Sequence, residues 1–98
     1  MSEFDYQQID EIIHSRIRLA ILSVLLSVEQ AEFNFLKEKV NATDGNLSIH
    51  LKKLEEVGYI TVKKEFVDRK PHSLYQMSTT GHKAFAAYIQ KLESLLKK

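Results

Sequence analysis

The chain has 98 residues, 44% of them hydrophobic and 28% charged, the proportions of an ordinary globular domain with one core. That balance excludes disorder as the main state, 3 Gly and 1 Pro argue against a turn-rich β-sandwich, and the absence of Cys removes disulfides, thiolate zinc sites and cysteine nucleophiles. The net charge of only +1 hides an asymmetry, since residues 1–36 sum to −4 and residues 37–98 to +5. A basic half is what a binding face for an anionic partner needs.

Apolar runs stop at about four residues, far below the ~18 of a membrane span. The acidic opening MSEFDYQQID lacks the positive and apolar regions of a secretory signal, so a cytoplasmic chain is expected. Residues 4–13 repeat apolar side chains at Tyr6, Ile9 and Ile13 and predict a first, N-terminal helix over residues 1–14. Residues 15–28 place Ile17, Ile21, Val24 and Val28 on one helical stripe, widened by Leu19, Leu22 and Leu26, with Ser15 as the N-cap.

The next stretch is the most informative. Asn34 is placed to cap a short helix through about Val40, and Asn41-Ala42 interrupts it. Thr43 then caps a second helix, Asp44 sits favourably at its positive dipole end, and Gly58 suits its stop after Val57. Two helices joined by so short a break have the helix-turn-helix outline. Residues 59–66 are β-rich and alternating, Asp68-Arg69-Lys70-Pro71 reads as a turn, and residues 73–77 return as a partner strand. A third short strand is expected near residues 32–34. Ser78 caps a last helix running nearly to the C-terminus.

On the second helix of the pair, Leu47, Leu51 and Leu54 share one face and form the core stripe. Gly45, Ile49 and Lys52 lie opposite, with Asn46, Ser48 and Lys53 on the flanks. Ammonium groups suit phosphates, an amide can pair with adenine, and an aliphatic group can touch a thymine methyl. Gly45 near the helix start lets a duplex approach the backbone. The hairpin tip adds Arg69, Lys70 and His72, cations able to hold phosphate or enter a minor groove. The plainer alternative is a solvated helix face and a charged tip that keeps edge strands soluble.

The strings SRIRLAIL, TDGNLSIHLKKLEEVGYI and DRKPHSLYQMSTTGHKAF, spanning residues 15–81, resemble small winged-helix transcriptional regulators of the MarR/ArsR-like type. The resemblance implies an α+β, mainly α fold: a winged helix-turn-helix with a three-helix core, a two- or three-stranded wing and extra terminal helices. It implies that residues 43–57 are the recognition helix in a DNA major groove and that residues 66–73 form the wing. The DNA-binding residues expected are Thr43, Gly45, Asn46, Ser48, Ile49, Lys52, Lys53, Arg69, Lys70 and His72. Relatives often carry Arg where this chain has Ile49 and His72, so base readout is expected to differ.

One domain over residues 1–98 is expected, with the helix-turn-helix and wing over 15–77 and a last helix over 78–98. That helix carries Phe85, Tyr88, Ile89, Leu92, Leu95 and Leu96, a stripe longer than one small core covers. Together with Tyr6 and Ile9 it is expected to form a homodimer interface. The alternative is that the N-terminal segment of the same chain folds back over the stripe.

No enzyme is expected. His14, His50, His72 and His82 fall into no nucleophile–base arrangement, and His50 borders the core stripe as a packing residue. No His-x-x-x-His spacing supports a helical metal site, and the last helix offers only His82 with Glu93 far along it. Neither metal nor cofactor is therefore expected, nor a second domain to hold an effector. Two functions remain: a dimeric, DNA-binding transcriptional regulator, expected to be a repressor that reads a short palindromic operator, or a winged helix used only for protein contact.

Overall fold

The computed structural model describes residues 5–97. The described chain opens on a single 3-10 turn, Tyr6–Gln8, in place of the helix expected over residues 1–14, of which residues 1–4 lie outside the described residues. Two aspartates explain the difference. Asp5 accepts from the Gln7 N–H at 2.9 Å, and Asp10 Oδ1 accepts from the N–H groups of Ile12 and Ile13 at 2.8 and 3.1 Å. Such short side-chain turns compete with helical hydrogen bonds. The apolar residues still find the core: Ile13 is fully buried, and Ile9 and Ile12 pack against it.

Helix α1 (Arg16–Ser27) starts at Ser15, whose hydroxyl accepts from the Arg18 N–H. Ile21, Leu22 and Leu25 form its buried face, while Leu26, counted in the expected stripe, is half exposed. Strand β1 (Ala31–Glu32) leads straight into α2 (Phe33–Val40). Glu32, not Asn34, stands at the cap position, because β1 brings the chain in extended and the helix begins two residues earlier than expected. Asn41 ends α2 in the left-handed conformation at φ 56°, a role to which Asn is suited. Helix α3 (Asp44–Glu56) follows, with Thr43 Oγ1 accepting from the Asn46 N–H at 3.1 Å.

Strands β2 (Ile60–Val67) and β3 (Lys70–Met77) are then paired antiparallel from end to end, and α4 (Thr79–Leu96) closes the chain. The sheet order is β1-β3-β2, so the expected third strand exists, two residues long and bonded to Leu74 and Tyr75. Leu36, Leu47, Leu51, Leu54, Ile60 and Met77 join the α1 face in one core.

A tight joint anchors α4. Ser78 Oγ accepts from the Gly81 N–H at 2.9 Å and donates to the Gly58 carbonyl. A Cβ on Gly81 would stand 2.0 Å from the Tyr59 carbonyl oxygen, so only glycine admits this approach.

The apolar stripe of α4 divides in two. Phe85 and Tyr88, expected at a dimer interface, are only 7% and 3% exposed and belong to the protomer's own core. The N-terminal segment folds over this half of the helix, with His14 Nδ1 2.8 Å from the Tyr88 hydroxyl and Lys91 Nζ donating to Gln8 Oε1 at 2.9 Å. Ile9 and Leu92 are partly covered in the same way. Tyr6, Ile89, Leu95 and Leu96 remain exposed.

Candidate nucleic-acid interface

The outward face of α3 carries the side chains expected there. Gly45, Asn46, Ser48, Ile49, Lys52 and Lys53 are all exposed, because Leu47, Leu51 and Leu54 turn the opposite face into the core. Ile49 is 66% exposed, too much for a packing role. Among the described residues, the side chains of Asn46, Ser48, Lys52 and Lys53 make no hydrogen bond or ion pair. They cost little to redirect toward a partner. Thr43 is committed as the cap through its oxygen, leaving its O–H free to donate.

Gly45 is informative because nothing inside the protein requires it. A Cβ there would meet no atom within 4 Å, and its φ is not positive. Glycine in a helix costs about 1 kcal/mol relative to alanine. The backbone at Gly45 is therefore open on the outward face of α3.

Asp44 and Lys37 were not among the expected site residues. The Lys37 ammonium lies 2.7 Å from the Asp44 carboxylate, tying α2 to the first turn of α3. Asp44 sits at the positive end of the α3 dipole, where a carboxylate is favourable, and Lys37 neutralises its charge. The signal was present as a charge pair spanning the inter-helix break.

The hairpin differs in detail from the expected Asp68–Pro71 turn. Only Asp68 and Arg69 turn, both left-handed at φ 53° and 66°, the two-residue type I′ geometry that matches strand twist. Lys70, Pro71 and His72 are already in β3, opposite Val67, Phe66 and Glu65. Pro71 is tolerated because β1 reaches only Leu74 and Tyr75, so the outer edge of β3 is open where the proline lacks its N–H. Arg69 and Lys70 are exposed at the tip, as expected. His72 is not at the tip: it is partly buried, with Nδ1 3.3 Å from Glu32 Oε1 and Glu65 across the strand. Beside two carboxylates it is poorly placed to hold phosphate.

His50 backs the interface from inside. Its Nδ1 faces the Arg18 guanidinium at 2.9 Å, and burial, with the Arg18 charge, holds its pKa below the ordinary imidazole value. Arg18 Nε in turn donates to the Ile12 carbonyl, so the N-terminal segment, α1 and α3 form one chain of contacts.

With this geometry, the chain is similar to several known proteins. A family model described as a winged helix DNA-binding domain matches residues 17–96. An uncharacterised protein of Methanocaldococcus jannaschii is 42% identical over 87 residues, which cover 89% of this chain and 95% of that one. A transcriptional regulator homologue protein from Pyrococcus horikoshii superposes with a TM-score of 0.83 at 25% identity, covering 90% of this chain and 87% of that one. A MarR-family transcriptional regulator from Silicibacter pomeroyi shares the fold with a TM-score of 0.68 at 15% identity, over 91% of this chain and 59% of its own length.

Proposed function

The chain belongs to the family of winged helix DNA-binding domains, and on that premise we propose that it is a sequence-specific, homodimeric transcriptional repressor that reads a short palindromic operator. In this proposal α3 enters the major groove with Asn46, Ser48 and Ile49 at base edges. Lys52 and Lys53 contact phosphates a turn further along, and Arg69 and Lys70 hold the flanking backbone or minor groove. The exposed apolar end of α4, with Ile89, Leu95 and Leu96, joins the two copies. Tyr6 lies outside the folded-back part of the N-terminal segment and adds to that contact.

The observation that carries the proposal is the α3 face itself: a row of uncommitted polar and cationic side chains behind a glycine that the protein does not need. Selection of bound sequences from a random duplex library tests it and returns the operator together. Random duplex should be retained at low salt and released as salt rises, with a log–log slope near −0.9 per phosphate neutralised. The near-neutral total charge favours a protein-contact module instead. Absence of any retention at low salt would support that reading over DNA binding.

A further inference from the structure

The tip of the hairpin is apolar at its centre. Phe66 is 77% exposed and Val67 43% exposed, and Phe66 stands opposite the exposed Pro71. A lone surface aromatic is ordinary. This one shares its face with the exposed Lys64, while Asp68 and Arg69 form the two-residue turn beyond it and Lys70 projects from the opposite face.

Register shows which way the ring projects. Residues 60, 62, 64 and 66 of β2 share one face of the sheet with 77, 75, 73 and 71 of β3. Ile60 and Met77 at the base of that face share the core with Leu51 and Leu54 of α3, and Tyr75 packs against it. Phe66 is therefore on the side of the sheet that looks toward α3. Six residues beyond Ile60 place it roughly 20 Å out along the strand.

We propose that Phe66 is a minor-groove wedge. While α3 occupies the major groove, the ring enters the adjoining minor groove at a base step and partly unstacks it, and Arg69, Lys70 and Lys64 take the phosphates on either side. A two-stranded ribbon is too wide for a minor groove of about 6 Å, but a single ring at its tip is not. Apolar wedges of this kind kink a duplex by roughly 20–90°. Charge complementarity selects DNA as the occupant: residues 63–70 carry Lys63, Lys64, Arg69 and Lys70 against Glu65 and Asp68, a net positive hairpin end, whereas an apolar contact between two copies would set two such ends against each other.

The inference rests on the proposed function, and the experiment separates the two. Wild type, Phe66→Ala and Phe66→Leu are compared on the selected operator by affinity, by permuted-site gel bending, and with 2-aminopurine placed successively under the wing. Wild type should bend the operator and brighten the probe at one step. Phe66→Ala should lose both signals and bind about tenfold more weakly, or ~1.4 kcal/mol. Phe66→Leu, which keeps an apolar wedge, should retain part of the bend. The exposed position makes both variants foldable, and circular dichroism checks that. Unchanged affinity and bend in Phe66→Ala overturn the wedge while leaving DNA binding intact. A change in light-scattering mass of the DNA-free protein in Phe66→Ala overturns it in favour of a contact between copies. Failure of wild type to retain any duplex removes the proposed function and the wedge together.

Discussion

The Arg18 guanidinium on α1 points its Nη1 at His50 Nδ1 on α3, 2.9 Å away. Arginine is a donor in all accessible conditions, so Nδ1 must be the accepting nitrogen and the ring proton sits on Nε2. His50 is thus held neutral by burial and by the neighbouring cation. As pH falls through 6.5 the unfolded chain takes up this proton first, so the stability His50 contributes is present above pH 6.5 and declines below it. Thermal midpoints measured from pH 7 to pH 5 should drop further for wild type than for His50→Gln, which keeps an acceptor for Arg18. Equal drops would remove His50 as a source of the acid sensitivity.

Tyr59 donates to Asp10 Oδ2 at 2.6 Å, joining the start of β2 to the N-terminal segment. Burial first, then this bond and the Asp10 charge, push its pKa up to about 12. Tyr59→Phe should lower stability by about 1 kcal/mol, read as a shift in urea midpoint at constant slope. The contribution is complete below pH 10 and is lost as pH rises through about 12, since the unfolded chain ionises first. Over that alkaline window wild type should lose more stability than Tyr59→Phe.

Asn46 and Arg69 should fail in different ways. Asn46→Ala is expected to weaken operator binding by about 1–3 kcal/mol with little effect on random duplex. Arg69→Ala should weaken both by similar factors and make the salt slope shallower by about one phosphate. Arg69 also holds a left-handed backbone at φ 66°, which costs a side chain about 1 kcal/mol. Arg69→Gly should therefore melt higher than wild type while binding DNA less well. A glycine variant that melts lower would show that the arginine serves the hairpin itself.

Gly81→Ala should be among the most damaging single methyl additions. The new Cβ meets backbone, not a flexible side-chain end, at the Tyr59 carbonyl. A loss of about 3 kcal/mol is expected, visible in the guanidinium midpoint. Gly45→Ala, with open space around it, should leave the midpoint unchanged or raise it, and its effect should appear in DNA affinity instead.

Leu95→Glu combined with Leu96→Glu alters only exposed positions at the end of α4. The pair should reduce the light-scattering mass to that of a single chain and leave the far-ultraviolet spectrum intact. If the mass stays that of a dimer, the copies meet elsewhere.

Local signals in the sequence located most of the frame. Ser15, Thr43 and Ser78 were legible as caps because a hydroxyl before an apolar period has one role. The α3 face followed from the spacing of Leu47, Leu51 and Leu54 alone. What periodicity missed was decided by contacts distant in the chain. The 4–13 segment is helix-like in pattern, but Asp10 is drawn to Tyr59, and its other oxygen closes a turn. Phe85 and Tyr88 look like a dimer stripe until that same segment covers them. His72 was assigned to the tip because proline suggested a longer turn; full pairing of the strands moves it beside Glu32, a residue 40 positions earlier.

The joint at Ser78 bears on movement as well as on stability. One hydroxyl grips the Gly58 carbonyl just beyond α3 and the Gly81 amide in the first turn of α4, while Gly81 rests on the Tyr59 backbone. The two helices are therefore the arms of a single lever with its fulcrum at residues 58–59 and 78–81. A force that swings the free end of α4 meets the N-terminal segment first, at Gln8 and His14, and passes to the C-terminal end of α3 through this joint.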